Sequence, residues 1–312
     1  MIYKKPRFWD FCKPNLIAYL LLPLTIPIRI NNFILNYKTK FKEKKIFTIC
    51  VGNICVGGTG KTPTTIKLYE ILNKINLKVL VGKKFYPEHK DEEFILKKKT
   101  NLISATSRKK IIKKIKSKVN VIIFDDGLQD KDLTYDLKFV CFDGINWIGN
   151  GFLLPSGPLR ENLNSLKKYD AIFIKNFKNF NYKIIKKINP KIKIFFSNYE
   201  IINLNQFKLS DKYLIFSAIG NPRDFKDILI KNNFNIIHEI IFPDHYNFKK
   251  KDIHKIKKIA DKLKAKIITT EKDFVKIPST DKKNIKFIKI NLKIQNEKKL
   301  TNFIKSKIND KH

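Results

Sequence analysis

A cluster of glycines constrains what this chain can fold into more than any other feature. The chain has 11 glycines among its 312 residues, and four of them lie between Gly52 and Gly60. Glycine adopts backbone conformations that other residues avoid, and it lets the backbone approach a ligand closely. An apolar run at 46–51 precedes the cluster, and a helix-like stretch at 62–74 follows it. This order predicts the strand, glycine-rich loop and helix of a phosphate-binding P-loop.

The P-loop pattern assigns nucleotide binding to six consecutive residues, Gly57, Gly58, Thr59, Gly60, Lys61 and Thr62. In such a loop the backbone N–H groups and the helix N-terminus face the phosphates of a nucleotide. Lys61 is expected to reach the β- and γ-phosphates, and the Thr62 hydroxyl to ligate Mg²⁺. The full pattern has a glycine where this chain has Cys55. A tight turn followed by a helix N-cap is the simpler alternative.

Two adjacent carboxylates, Asp125 and Asp126, follow the apolar run 121–124. In a P-loop fold, the strand beside the first one ends in an aspartate that holds the Mg²⁺ bridging the phosphates. Together with Thr62, these aspartates are the predicted metal ligands, and the sequence leaves open which of them touches the metal. The alternative is a turn at the end of a strand, with the aspartates as capping residues.

The segment 149–161 concentrates glycines and prolines and ends in Arg160 and Glu161. Only five of the 65 basic residues are arginine. Because a guanidinium can bind phosphate in a planar, bidentate way, Arg160 is a candidate phosphate ligand. Glu161 could complete the metal site. The alternative is a surface loop stiffened by proline.

Asp91 and His245 are candidate proton-transfer residues. Asp91 belongs to an acidic run after the second predicted strand, a position that opens at the ligand-binding edge of a parallel sheet. By itself this run is more typical of the first turn of a helix. His245 follows Asp244 at the end of a strand and could be a general base, a metal ligand or a phosphate contact. A structural histidine is the alternative.

The N-terminal region contains an uncharged apolar run at 16–28, interrupted by Pro23 and Pro27 and ending at Arg29. The run is shorter than the ~20 residues that cross a bilayer, and no small-residue cleavage site follows it as in a secretory signal peptide. Aromatic and basic residues flank it, as in anchors that lie at the anionic cytoplasmic leaflet. A membrane-associated helix is therefore predicted, spanning or interfacial, and a helix buried in the soluble domain is the alternative.

The net charge of +37 comes from lysines spread along the whole chain. Such a surface is either simply solvated or attracted to anionic membranes, nucleotides and phosphorylated substrates. The chain has no zinc-finger, RNA-recognition or homeodomain signature, so no nucleic-acid partner is predicted. Its four cysteines lack C-x-x-C spacing and are expected to be reduced.

Beyond the P-loop, short β-branched runs alternate with lysine-rich helical stretches, a pattern typical of a parallel α/β fold. The further predicted strands lie at 78–81, 119–124, 139–142, 171–174, 192–196, 213–217, 236–242, 266–269 and 286–290. The predicted helices lie at 66–73, 108–116, 182–188, 222–231, 250–264 and 298–307. The stretch 200–211 lacks clear periodicity and is expected to link two lobes.

Five segments carry a resemblance to a known family: VGNICVGGTGKTP (51–63), DDGLQ (125–129), GNGFLLPSGPLRE (149–161), FPDHY (242–246) and TEKD (270–273). In this order they resemble the tetraacyldisaccharide 4′-kinases, which phosphorylate a disaccharide lipid of the lipid A pathway at the bacterial inner membrane. The resemblance covers essentially the whole chain, and Cys55 in the P-loop is usual for the family. Two departures are visible. Lys83–Tyr86 replace an arginine- and glycine-rich loop, and Asp130 replaces the more usual histidine or asparagine.

The resemblance implies a P-loop NTPase-like parallel-sheet lobe (31–205), a second, smaller α/β lobe (206–312) that closes the active-site cleft, and an N-terminal membrane anchor (1–30). It implies transfer of the γ-phosphate of ATP to the 4′-hydroxyl of a tetraacyldisaccharide 1-phosphate, with Mg²⁺. Asp91 is the expected catalytic base and His245 its partner, acting with Lys61 and Arg160. The alternatives are a soluble P-loop ATPase or regulatory switch with a basic partner-binding surface, and a nucleic-acid-binding protein. Acyl-chain number and length and the oligomeric state stay open.

Overall fold

The computed structural model describes residues 6–37, 41–87, 90–115, 118–130, 133–145, 147–177 and 182–311. Its strands are β1 (Phe41–Lys42), β2 (Phe47–Gly52), β3 (Val79–Lys84), β4 (Leu102–Ala105), β5 (Val121–Asp125), β6 (Leu133–Thr134), β7 (Leu137–Asp143), β8 (Ala171–Lys175), β9 (Lys193–Ile201), β10 (Lys212–Ser217), β11 (Asn235–Ile241), β12 (Lys266–Thr270), β13 (Ile285–Ile288) and β14 (Ile290–Ile294). Its α-helices are α1 (Leu16–Leu20), α2 (Ile26–Tyr37), α3 (Lys61–Lys74), α4 (Lys90–Lys99), α5 (Arg108–Lys113), α6 (Lys183–Ile188), α7 (Pro222–Lys231), α8 (Lys250–Lys262), α9 (Glu271–Lys276) and α10 (Glu297–Asn309).

Two compact units make up the described chain. The larger contains residues 6–86, 96–198 and 292–311, and the smaller contains 87–95 and 199–291. Residues 87–95 and 292–311 are thus grouped differently from the three predicted domains. The predicted boundaries and cleft stay predictions.

The larger unit is built on a sheet that, in the described residues, has eight strands in the order β14-β9-β8-β7-β2-β5-β3-β4. Strand β2 lies between β5 and β7 and is parallel to both. Both β2 and β5 are buried along their whole length, as expected for strands covered on both faces. Their carboxyl ends meet at one edge of the sheet, where the P-loop leaves β2.

The smaller unit contains a sheet with the strand order β11-β10-β12-β13, in which the neighbours pair in parallel. Successive side chains of β10 point to opposite faces of the sheet, so they belong to two different hydrophobic cores. Leu214 and Phe216 pack with residues of α8, while Tyr213 and Ile215 pack with residues of α7.

The predicted strand 286–290 is wrong in its extent. The chain instead forms β13 in the sheet of the smaller unit and β14 in the eight-stranded sheet. The buried positions Ile288 in β13 and Leu292 in β14 are separated by three half-buried residues. No glycine or proline marks the passage from β13 to β14. A single apolar-polar run therefore conceals two strands.

The N-terminal apolar run forms two α-helices joined by a short 3₁₀ segment. Helix α1 is capped by the Asn15 side chain, which accepts a hydrogen bond from the N–H of Ala18 (3.0 Å). Pro23 and Pro27 lie in the first turns of the 3₁₀ segment Leu22–Thr25 and of α2, where the missing N–H costs no helical hydrogen bond. Within the described residues, the structure contains no helix with both the length and the apolar character required to cross a bilayer.

Candidate active site

The P-loop connects β2 to α3 and requires glycine at two positions. Gly57 has φ +122° and Gly60, the N-cap of α3, has φ +86°. Both values lie in the region that residues with a Cβ rarely adopt. The Asn53 side chain donates to the Thr59 hydroxyl (3.0 Å) and holds the loop from within. The predicted strand, loop and helix are confirmed, and Lys61 and Thr62 begin the helix.

Asp125 ends β5 and is held by three side chains. Its carboxylate lies 2.6 Å from the Lys83 ammonium and accepts hydrogen bonds from the hydroxyls of Thr62 (3.3 Å) and Thr65 (3.2 Å). Both members of the ion pair are buried. The sequence placed Lys83 only in a loop that departs from the family pattern. Its partner is 42 residues away, a separation at which spacing provides no signal.

Asp126 lies between two cations. Its Oδ1 atom is 3.9 Å from the Lys61 ammonium and 3.7 Å from the Arg160 guanidinium. This buried oxygen accepts no hydrogen bond from any residue in the described ranges. Burial alone would raise the pKa of Asp126, but the nearby positive charges, led by Lys61 and Arg160, lower it. The structure therefore brings three of the predicted site residues together around one charged oxygen.

Arg108 supports the backbone of this acidic turn. Its guanidinium donates to the carbonyl oxygens of Asp125 (3.4 Å) and Asp126, and to the carboxylate of Asp130 (2.8 Å). Asp126 has φ +55°, an uncommon conformation for a residue with a side chain. Asp130, a departure from the family pattern, thus pairs with the arginine that supports the turn. No sequence motif assigns Arg108 this role, and its only signal is that it is one of five arginines in the chain.

The segment 149–161 pairs with the chain that enters the P-loop. The N–H of Arg160 donates to the Ile54 carbonyl (2.7 Å), and the N–H of Val56 donates to the Pro158 carbonyl (2.8 Å). Cys55 forms an antiparallel bridge with Leu159 between these bonds. The segment is therefore paired backbone rather than an independent surface loop, and it positions Arg160 beside the phosphate-binding loop.

Glu161 is buried and held by two side chains. The Tyr169 hydroxyl lies 2.9 Å from both carboxylate oxygens, and the Gln129 amide donates to one of them at 2.7 Å. Gln129 also donates to the Asn53 carbonyl (2.9 Å) in the P-loop. Burial, followed by the charge of Glu161, raises the pKa of Tyr169 well above its ordinary value, so the phenol stays a donor. The described residues contain no group of three or more His, Cys, Asp or Glu side chains arranged to hold a metal ion.

The N-terminal segment contacts the other side of the 149–161 segment. The Trp9 indole donates to the Pro155 carbonyl (3.0 Å), and the Trp9 carbonyl accepts from the N–H of Asn150 (3.0 Å). From α2, the Asn32 side chain donates to the carbonyl of Arg160 (2.9 Å). A hydrogen bond thus links helix α2 to the backbone of Arg160, a predicted catalytic residue.

The structure brings Asp91 and His245 together in the smaller unit. The imidazole Nδ1 lies 3.2 Å from Asp91 Oδ1, which also accepts the N–H of Glu92 at 2.9 Å. The Asp91 carboxylate is 4% exposed and the imidazole 23% exposed. Burial acts most strongly on Asp91 and would raise its pKa, but the hydrogen bond from His245 and the charge of Lys272 contribute to a pKa of about 2. The two side chains lie within hydrogen-bonding distance of each other, while the catalytic role of the pair stays a prediction.

Two lysines missed as site residues lie beside Asp91. The ammonium groups of Lys272 and Lys276 are 3.4 and 3.9 Å from Asp91 Oδ2. Lys272 belongs to the TEKD segment, which carried the family resemblance without an assigned role. Their spacing of four residues on α9 places both on one helix face.

Comparison with known proteins identifies the family to which this chain is related. The family model described as tetraacyldisaccharide-1-P 4′-kinase matches residues 17–91 and 86–309. The chain belongs to this family. A tetraacyldisaccharide 4′-kinase of Pelagibacter ubique is 45% identical over the full length of both chains. One from Rickettsia akari is 33% identical over 93% of both chains. The family resemblance predicted from the five sequence segments is confirmed.

A solved structure supports the fold of the family. LpxK from Aquifex aeolicus, described as an "apo" form in complex with ATP, superposes with a TM-score of 0.69. The match covers 94% of this chain and all of the other at 21% identity. The prediction of a P-loop α/β protein is thereby confirmed at the level of the fold.

Proposed function

We propose that this chain transfers the γ-phosphate of ATP to the 4′-hydroxyl of a tetraacyldisaccharide 1-phosphate, giving the 1,4′-bisphosphate of lipid A biosynthesis. The observation that carries the proposal is the convergence of Lys61 and Arg160 on Asp126 in a chain of this family. Two cations and a P-loop suit the binding of a triphosphate and the charge that develops during phosphoryl transfer.

Binding of ATP is assigned to Gly57–Thr62. Backbone N–H groups of the loop and the start of α3 bind the phosphates, and the Lys61 ammonium neutralises the phosphates between which the bond breaks. Lys61 lies 3.9 Å from the Asp126 carboxylate. This contact keeps its charge near the proposed reaction centre, which lowers the reorganisation needed for catalysis.

The residues around Asp126 fit a Mg²⁺ ion that takes most of its ligands from substrate phosphates and water. Asp126 offers a buried oxygen without a hydrogen-bond donor among the described residues, and the Thr62 hydroxyl lies 3.3 Å from Asp125. Mg²⁺ is commonly held by one or two carboxylates together with substrate phosphates and water. We assign Asp126, Asp125, Thr62 and Glu161 to this site, where a bound Mg²⁺ would neutralise charge on the phosphates. Asp125 is already bonded to Lys83, so Asp126 is the more accessible oxygen ligand.

Asp91 is assigned as the base. As the 4′-oxygen forms its bond to phosphorus and the bond from phosphorus to ADP breaks, the hydroxyl proton moves to the Asp91 carboxylate. His245 holds Asp91 Oδ1 at 3.2 Å and orients it. A carboxylate with a pKa near 2 is a weak base. The reaction tolerates this because the transition state of phosphoryl transfer is loose and requires little activation of the nucleophile.

We propose that the N-terminal segment places the enzyme on the cytoplasmic face of the bacterial inner membrane. Large apolar side chains of this segment are exposed: Phe11, Leu16, Ile17, Tyr19, Leu20, Leu24, Ile26, Ile30, Phe33 and Ile34. A patch of this kind marks a surface that contacts a membrane or a partner. Basic residues beside it (Arg7, Lys13 and Arg29) complement anionic lipid headgroups.

A soluble P-loop ATPase or switch is not favoured. That alternative gives no role to the 149–161 segment, which pairs with the P-loop strand and carries Arg160. It also assigns no role to the contact between Asp91 and His245.

Transfer of radioactive phosphate from γ-labelled ATP to tetraacyldisaccharide 1-phosphate in detergent micelles tests the function. We expect labelled lipid from the native chain and a loss of roughly 10²–10³-fold in turnover for Lys61→Ala. Lys74→Ala, at the far end of α3, is the matched control and should transfer normally. Labelled inorganic phosphate without labelled lipid, from folded protein, would support the ATPase instead.

A further inference from the structure

The Asp91 carboxylate is held differently at its two oxygens. Oδ1 lies within hydrogen-bonding distance of the His245 imidazole and accepts a hydrogen bond from the N–H of Glu92. Oδ2 is buried and receives no hydrogen bond from any residue in the described ranges. It faces the ammonium of Lys272 at 3.4 Å and that of Lys276 at 3.9 Å. The negative charge at Oδ2 of the proposed base is therefore compensated by two ammonium groups from α9.

The start of α9 is fixed by a buried aspartate. The Asp273 carboxylate accepts the N–H of Ala218 (2.9 Å) and the Thr270 hydroxyl (2.8 Å). The Thr270 hydroxyl in turn accepts the N–H of Asp273 (3.0 Å) as the helix cap. Because Asp273 is fully buried, these bonds hold the helix on the end of β10. These bonds fix the backbone position from which the Lys272 side chain extends towards Asp91.

Lys276 and Lys272 have different partners. Lys276 lies 2.6 Å from Asp273 and donates to the Ala218 carbonyl (3.2 Å), so its charge is largely compensated. Lys272 lies 3.4 Å from both Asp91 and Asp244 and 3.7 Å from Glu92. Its partners are the same three carboxylates that lie within 3.9 Å of the His245 ring. Lys272 thus pairs with each of these three carboxylates.

We propose that Lys272 is a positioning residue for phosphoryl transfer, which fixes the Asp91 carboxylate beside His245. The proposal rests on the proposed function, in which Asp91 receives the hydroxyl proton. Lys272 itself forms no covalent bond to the substrate and accepts no proton. It acts through Asp91, by compensating the charge at Oδ2 while Oδ1 is oriented by the imidazole.

The charge of Lys272 is expected to lower the pKa of Asp91. Burial would raise the pKa of Asp91 above its ordinary value of 3.8, and the groups that lower it to about 2 are His245, Lys272 and Lys276. Glu92 faces the same cluster with the opposite charge. An opposite charge within about 4–6 Å lowers the pKa of a carboxyl by roughly 1–3 units. Removing the Lys272 charge is therefore expected to move the Asp91 midpoint upward by that amount.

Three variants test the proposal. Lys272→Met removes the charge and keeps most of the chain length, Lys272→Arg keeps the charge, and Lys258→Met removes an exposed lysine from α8 as the control. The carboxyl carbon of Asp91, followed by ¹³C NMR from about pH 2 to pH 7, reports its ionisation directly. We expect the Asp91 midpoint to rise from about 2 to between roughly 3 and 5 in Lys272→Met, and to stay near its native position in Lys272→Arg and Lys258→Met.

Kinetics provide the second measurement. In Lys272→Met, kcat should fall at least tenfold with little change in the KM for ATP, and the acid limb of the pH profile should move upward with the NMR midpoint. Lys272→Arg should recover most of kcat. An unchanged Asp91 titration in folded Lys272→Met, or an unchanged kcat, would overturn the proposal. If the native chain transfers no phosphate to lipid, the proposed function fails, while the NMR titration still decides whether Lys272 controls Asp91.

Discussion

At the scale of single residues, the proposed phosphate site contains carboxylates whose charges are compensated by nearby lysines and an arginine. Asp125 is neutralised by Lys83, whereas Asp126 faces Lys61 and Arg160 at 3.9 and 3.7 Å without hydrogen bonding to either. A buried carboxylate is costly unless it is paired. The longer distances around Asp126 leave room for a phosphate or a cation to complete the site.

Lys83→Met should destabilise the fold strongly. Lys83 and Asp125 are 5% and 0% exposed, so removing the lysine leaves a buried carboxylate without its cation. Breaking such a pair typically costs about 3–5 kcal/mol of the free energy of unfolding. Urea unfolding measures this loss, with Lys84→Met, at the next position, as the control. A loss below about 1 kcal/mol would show that Thr62 and Thr65 suffice to hold Asp125.

Asp91→Asn should change how stability depends on pH. The pKa of Asp91 is about 2 in the folded chain against an ordinary 3.8. Its charge therefore stabilises the fold by about 2 kcal/mol above roughly pH 5, and this contribution is lost as the pH falls towards about 2. In Asp91→Asn, stability at neutral pH should be lower and the acid-side loss smaller. Thermal unfolding across this range measures both, and Asp227→Asn, an exposed aspartate on α7, should follow the native profile.

At the scale of elements, the 149–161 segment is paired on two sides. One side bonds to the chain entering the P-loop, and the other to Trp9 and Asn32 of the N-terminal segment. This arrangement lets the apolar N-terminal helices contribute to the geometry of Arg160. A segment that could have been a solvent-exposed loop is thereby part of the site.

Asn32→Ala should lower turnover through Arg160. The variant removes the hydrogen bond to the Arg160 carbonyl, and small displacements of a catalytic group can cost up to ~10²-fold. Asn31→Ala is the matched control, because Asn31 is exposed and lies one position away on the same helix. In an Arg160→Ala background, Asn32→Ala should have little further effect on kcat, since groups that act together are not additive. Full additivity of the two effects would contradict a role through Arg160.

The elements that the sequence predicted well are those with local signals. The P-loop follows from glycine spacing between a strand and a helix, and Asp125 and Asp126 follow from an apolar run that ends in carboxylates. The partners of these residues could not be predicted in the same way, because Lys83 and Arg108 come from other elements and meet the acidic turn only after the sheet forms. The switch from β13 to β14 was missed because no turn residue marks it. Helix α9 was missed because six residues are too few to show a period.

At the scale of the whole molecule, the exposed apolar segment and the lysine-rich surface suit an enzyme that meets its lipid at a membrane. Leu16 and Leu20 are 74% and 70% exposed, although both belong to a helix that packs on the larger unit through Ala18 and Tyr19. Leucines exposed in such positions favour contact with lipid.

Substituting Leu16 and Leu20 by serine should release the protein from vesicles. Deletion of residues 1–30 is a poorer test, because it also removes the Trp9 bonds to Pro155 and Asn150. Flotation with vesicles that contain anionic lipid measures the partitioning, and Leu209→Ser, an exposed leucine in the smaller unit, is the control. Retention of the double variant on vesicles would refute the assignment of this patch to membrane binding.

The position of the new phosphate on the lipid product tests the central claim most directly. After reaction with ATP, ³¹P NMR correlated to the sugar protons identifies each phosphorylated carbon of the disaccharide. We predict one new phosphomonoester, at the 4′ position, beside the original 1-phosphate, and its absence in Lys61→Ala. A phosphate at another hydroxyl, or release of inorganic phosphate with the lipid unchanged, would contradict the account.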